Sequence, residues 1–259
     1  MLFAEKYDRI KRDGKKERTK RASDTGTAKG HGKFMKILFI GNGLTSSHQM
    51  PFLFQELLEK RGVSSKVELL ARFGFSLEDF SEGKDNVSSQ INETSSRKWD
   101  AVFLQEQSRI PLLDKDAFLL GAASLSAKFR PVCDRILLPD LYPYREGHSF
   151  YKISGLNPVT MGRTLIETNR EIASELDLEP SPVCDAFLFA AQKYPKICLY
   201  EKDRFHPSLA GSYLIACVHC AVITSSPVAS ADFCPEALDP AEAEALRAVA
   251  DKVVFTPAE

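Results

Sequence analysis

The most chemically suggestive spacing in the chain is Asp203-Arg204-Phe205-His206, a carboxylate three residues before an imidazole at the mouth of a helix. Hydrolysis through an activated oxygen nucleophile needs an imidazole to accept a proton and a carboxylate to hold that ring's tautomer. Of the five histidines, only His206 has an acid three residues before it. Three further blocks sit where strand patterns end. They are Gly41-Asn42-Gly43-Leu44-Thr45, Gly74-Phe75-Ser76-Leu77-Glu78-Asp79 and Leu104-Gln105-Glu106-Gln107-Ser108.

Positioning these blocks falls to alternating strands and helices. Buried-strand patterns lie at Lys36–Ile40, Lys66–Ala71, Ala101–Leu104 and Arg135–Leu138, with a short one around Pro182–Cys184. Helical periods run near Pro51–Arg61, Phe118–Phe129, Met161–Glu175 and Ala186–Tyr194, while 77–98 reads as a weak Ser/Asn-rich connection. Pro207 is expected at the first position of a helix over Ser208–Ile223, and Asp239-Pro240-Ala241-Glu242 opens another to about Lys252. Strands separated by helices predict an α/β fold, a central parallel sheet covered on both faces. Ligands of such sheets bind beyond the carboxyl ends of the strands, which brings all four blocks to one edge.

The order of those blocks resembles the SGNH (GDSL-type) hydrolase superfamily. It is most similar to a branch with Gly-Asn-Ser after the first strand and Leu-Gln-Glu-Gln-Ser after the third. The resemblance covers roughly residues 36 to 250 and extends to His206-Pro207-Ser208-Leu209-Ala210-Gly211. It implies a three-layer α/β/α domain of flavodoxin-like topology and hydrolysis of small acyl esters, including O-acetyl groups on carbohydrates. It implies Asp203 as orienting acid and His206 as general base. The oxyanion donors would be Gly43 and Gly74 through their N–H groups and Gln107 through its amide, where the superfamily usually has Asn. The nucleophile position departs from the family: Gly43 stands where the family has Ser. Thr45, Ser46 and Ser47 follow within four residues, and Ser46 and Ser47 are the candidate substitute nucleophiles. A silent ligand-binding or interaction protein is therefore the alternative function.

A competing reading takes Gly41-Asn42-Gly43-Leu44-Thr45-Ser46 as an approximate dinucleotide fingerprint, with Arg72 meeting the 2′-phosphate of NADP. It leaves the Gln105–Ser108 and Asp203–His206 blocks without a task. Cys217-Val218-His219-Cys220 lies in an apolar helix and reads as core, so no metal and no cofactor are expected. His48 follows the loop after the first strand and reads either as facing the pocket or as a capping or surface residue. Tyr142, Tyr144, Arg145 and His148 occupy a long loop on the expected ligand side that reads first as a plain surface loop.

Charge and composition bound the rest. There are 34 basic and 35 acidic residues, a net of −1, which gives the domain no general nucleic-acid affinity. Residues 1–34 hold eleven Lys/Arg against five Asp/Glu and lack an apolar period. They read as a basic disordered tail, or as a start placed ahead of Met35, with the domain over 35–259. The longest apolar run, Leu214–Ile223, is far short of the roughly 20 residues of a membrane span. With no export signal in the pattern, six cysteines predict reduced thiols and a cytoplasmic setting.

Overall fold

A computed structural model of the chain describes residues 34–256. The tail expected over residues 1–34 therefore lies almost wholly outside the described residues. Five parallel strands form one sheet: β1 (Met35–Gly41), β2 (Ser65–Ala71), β3 (Trp99–Leu104), β4 (Cys133–Pro139) and β5 (Glu179–Ser181). Their order is β2-β1-β3-β4-β5, the flavodoxin-like arrangement. The direction of winding reverses between β1 and β3, so the loops after these two strands splay apart and open a crevice.

Alternation along each strand builds two cores. Ile37 and Phe39 of β1, Ala101 and Phe103 of β3 and Leu137 of β4 face one layer. That layer contains α1 (Met50–Lys60). Leu38, Ile40, Val102, Leu104, Ile136 and Leu138 face the other. There they meet α2 (Leu77–Glu82), α3 (Ser88–Ser95) and α4 (Lys115–Phe129). Both faces of the sheet are covered, as near-continuous apolar strands require. The remaining helices of six or more residues are α5 (Ser149–Ser154), α6 (Pro158–Leu176), α7 (Val183–Lys193), α8 (Leu209–Thr224) and α9 (Pro240–Phe255). Helix α8 is buried along nearly its whole length and packs against α1 and α9.

Several element boundaries differ from expectation. The segment 77–98 is not a plain connection. Ser76 and Asp79 form a reciprocal capping box that starts α2, and Leu77, Phe80, Val87 and Ile91 anchor α2 and α3 to the sheet. The short fifth strand is Glu179–Ser181 rather than Pro182–Cys184, and Val183 already begins α7. Pro180 is tolerated because β5 is an edge strand. Pro207 does not open α8. Ser208 is the cap, its hydroxyl accepting the Gly211 N–H, and Pro207 lies one residue earlier, bridged antiparallel to Tyr200. Among the described residues, no helix is long and apolar enough to cross a membrane.

Candidate active site

Three loops meet where β1, β2 and β3 end, and one buried amide ties them together. Asn42 caps a one-turn helix, Gly43–Ser46, its Oδ1 accepting the Leu44 N–H at 3.1 Å. Its Nδ2 donates to the carbonyls of Phe75 at 3.0 Å and Glu106 at 3.2 Å. Gly41, just before it, has no room for a side chain, since a Cβ there would lie 2.1 Å from Thr45 Oγ1.

Beneath the cleft lies Glu106, 1% exposed. Its Oε1 accepts the N–H groups of Leu77 at 3.0 Å and Gln107 at 2.6 Å, and its Oε2 has no partner among the described residues. Burial raises this carboxyl to about 8 against the two N–H donors, with the nearby charges of Asp79 and Glu78 adding to the rise. Glu106 thus joins the loop after β3 to the start of α2. Sequence reasoning does not single it out. It lies inside the Leu104–Ser108 block without a role assigned to it, and a carboxylate at the end of an apolar strand is ordinarily expected to be exposed.

The Asp203–His206 loop approaches from the far side. Tyr200 and Pro207 pin its base, and the Glu201 N–H donates to the His206 carbonyl at 2.9 Å. Asp203 Oδ1 accepts the N–H groups of Phe205 at 2.9 Å and His206 at 3.0 Å, while Oδ2 meets His206 Nδ1 at 2.7 Å. Burial works to raise the Asp203 carboxyl, but the His206 ring and the two N–H donors outweigh it and hold it below its ordinary value. A carboxylate on Nδ1 keeps the proton there and turns the Nε2 lone pair outward. His48, expected near the ligand side, pairs with Glu201 at 2.8 Å and so links the loop after β1 to the Asp203–His206 loop.

Gly43 faces His206. Its backbone is outside the left-handed region, and a Cβ built on it would lie 3.4 Å from His206 Nε2 and 3.3 Å from Phe73 Cδ2. The neighbouring hydroxyls are directed elsewhere. Thr45 Oγ1 donates to Gln105 Oε1 at 2.7 Å. Ser46 and Ser47 donate to the Gly43 carbonyl at 3.3 and 2.7 Å.

Gly43, Gly74, Gln107 and His206 line a common cleft of about 490 Å³. The N–H groups of Gly43 and Gly74 have no partner among the described residues, and Gly74 adopts φ +72°, which suits glycine. Gln107 Oε1 accepts the Arg109 N–H at 2.8 Å, so its amide NH₂ is the end left for a ligand. Phe73 and Ile153, each 85% exposed, form an apolar rim. The floor carries Ser108 Oγ and Tyr144 OH, 2.8 Å apart.

Of the loop residues expected on the ligand side, Tyr144 and His148 line this cleft and Tyr142 and Arg145 do not; the remaining sequence candidates fall outside it. Cys217 and Cys220 are buried in α8, and burial raises both thiols, that of Cys220 to about 12. His219 is held by Ser181 Oγ at 2.8 Å against Phe39 and Phe103, and burial lowers it to about 3. Arg72, the suggested 2′-phosphate partner, donates instead to the Ala71 carbonyl and to Gln90.

No family model and no curated protein matches this chain. Solved structures do. A DUF4886 family protein from Bacteroides uniformis aligns with a TM-score of 0.74 at 18% identity, over 86% of this chain and 96% of that one. A chain from Slackia heliotrinireducens assigned to the SGNH hydrolases aligns at 0.66 and 27% identity, over 74% of this chain and 100% of that one. A catalytic mutant of the acetylxylan esterase Axe2 from Geobacillus stearothermophilus aligns at 0.53 and 18% identity, over 74% and 94% of the two chains. The strand order, the covered parallel sheet and these neighbours agree: this chain has the SGNH hydrolase fold.

Proposed function

We propose that this protein hydrolyses small acyl esters, with His206 activating a water rather than a serine hydroxyl. The observation that carries this reading is the approach of His206 Nε2 to the site of residue 43, where a glycine leaves room beside the ring. The Asp203–His206 bond at 2.7 Å supports His206 as the base. In the reaction, Nε2 takes a proton from water while the water oxygen bonds to the acyl carbon. The carbonyl electron pair moves onto oxygen, where the N–H groups of Gly43 and Gly74 and the Gln107 amide receive it. Collapse expels the alcohol oxygen, which takes the proton back from His206, while Asp203 stabilises the imidazolium in between.

Magnitudes fix what such a site can deliver. Deleting a serine nucleophile from a full triad costs about 10⁶ in kcat, whereas general-base catalysis alone contributes about 10²–10⁴. Turnover is therefore expected to be slow and without a covalent intermediate. The acetylxylan esterase among the structural neighbours supports an acetyl ester, on a carbohydrate in the first instance. The cleft is wide enough for a sugar ring against Phe73.

A second reading, ligand binding without turnover, draws on the same Gly43. Hydrolysis of a panel of short acyl esters by the wild type, His206→Ala and Cys217→Ala separates the two. His206→Ala is expected to lose at least about 10²-fold and Cys217→Ala nothing. Equal rates in wild type and His206→Ala would leave only the binding role.

A further inference from the structure

The polar groups of the cleft are unequally divided between donors and acceptors. His148 Nδ1 accepts the Phe150 N–H at 3.1 Å, which leaves the ring proton on Nε2 as a donor. Burial lowers this histidine below its ordinary value; Asp203 opposes the shift, and Arg109 and Arg204 add to it. Gln107 offers its NH₂, because its oxygen is already bonded to the Arg109 N–H. Among the lining residues there is no Asp or Glu, and the formally charged side chain is Arg109. The Arg109 guanidinium has neither an ion pair nor a hydrogen bond among the described residues. The nearest carboxylate in the mechanism, Asp203, already accepts from three donors. The Ser108 and Tyr144 hydroxyls are bonded to each other.

Resting on the ester-hydrolase reading, we infer that the preferred substrate is an ester that also bears an anionic group, a carboxylate in the first instance, held by Arg109 with His148 Nε2–H beside it. A guanidinium takes a carboxylate through two parallel N–H bonds, which fixes orientation as well as charge. With the carboxylate seated there, the acyl carbon is presented to His206 and the carbonyl oxygen to Gly43, Gly74 and Gln107. Arg109 is then a specificity residue, and the proton transfers remain with His206.

The test uses two probes of equal size and identical acyl group, para-acetoxybenzoate and the neutral para-acetoxybenzamide. Calorimetry reads binding, and release of the phenol reads hydrolysis. Wild type is expected to bind the carboxylate about tenfold more tightly than the amide, a preference that shrinks with added salt. Arg109→Gln abolishes the preference, Arg109→Lys keeps part of it, and Arg163→Gln, an exposed arginine outside the cleft, keeps all of it. Selective binding without cleavage supports this inference while overturning the hydrolase reading. Cleavage of both probes at equal rates, with equal affinities, overturns this inference and leaves the hydrolase reading standing. A preference that survives Arg109→Gln, or no binding of either probe, also overturns it.

Discussion

At the scale of single residues, catalysis turns on which hydroxyl or ring can reach a carbonyl carbon. Ser46 and Ser47 donate to the Gly43 carbonyl, and neither lines the cleft. Ser46→Ala and Ser47→Ala are accordingly expected to leave ester hydrolysis within about twofold of wild type, since no transition-state contact is removed. A loss approaching that of His206→Ala would make one of them the nucleophile. Phe73 is 85% exposed yet lies beside His206, its ring centroid 6.3 Å from the imidazole. An exposed aromatic with so little packing to lose is expected to act on the ligand. Phe73→Ala should raise KM several-fold and shift the melting temperature little, as steady-state kinetics and a thermal scan would report. The pairing of Asp203 with His206 was legible from three-residue spacing. The role of Glu106 was not, because nothing local announces that a carboxylate will be buried and hold two backbone N–H groups of separate loops.

At the scale of elements, the strands were the most legible, since their apolar runs are buried on both faces. The region 77–98 was the least legible. Its helices are poor in apolar residues, and α3 buries only Ile91 and Thr94, too narrow a stripe to mark a helical face. The start of α2 did carry a readable signal, Ser76-Leu77-Glu78-Asp79, a capping box whose side chains bond reciprocally in the structure. The edge between β5 and α7 slipped by three residues because Pro180 and Pro182 bracket it, and proline marks a boundary without saying on which side the strand lies. The start of α9 is readable from Asp239, whose Oδ1 accepts the N–H groups of Ala241 at 2.8 Å and Glu242 at 3.3 Å. Asp239→Ala is expected to cost about 1 kcal/mol and lower Tm by roughly 2–4 °C, measured by thermal denaturation. An unchanged Tm would mean that α9 is held by its packing against α7 and α8 without help from the cap.

At the scale of the whole molecule, buried titratable groups set how stability follows pH. Glu106 moves from 4.5 up to about 8 on folding, and Asp140 from 3.8 up to about 8, both chiefly through burial. A carboxyl raised in this way keeps its proton in the folded chain when the unfolded chain has released it, so stability falls as pH climbs toward 8. His219 works in the opposite direction. Lowered from 6.5 to about 3, it withdraws stability as pH falls below 6.5 and is silent above it. Between pH 6.5 and 8 the two carboxyls therefore dominate this set, and Glu106→Gln is expected to remove about half of the decline in urea midpoint. An undiminished decline in that variant would show that Glu106 is already ionised at neutral pH. The sheet order, too, belongs to this scale. Alternating strands and helices predict a parallel sheet, the resemblance implies its flavodoxin-like order, and that order explains why blocks as distant in sequence as Asn42 and His206 share one cleft.

Under the proposed function, the cleft is arranged for acyl transfer at residue 43 and lacks only the oxygen, and Gly43→Ser tests this directly. The backbone there accepts a side chain, the new Cβ lies 3.4 Å from His206 Nε2, and the atom it crowds at 3.3 Å belongs to the exposed Phe73 ring, which can swing away. The measurement is hydrolysis of short acyl esters together with the intact mass of the protein after brief exposure to substrate. A rise of at least about 10²-fold over wild type is expected, part of the 10⁶ that a full triad supplies. An acyl adduct is expected on the variant and none on the wild type. A folded Gly43→Ser protein with neither adduct nor gain, or a wild type that itself becomes acylated, would contradict this arrangement.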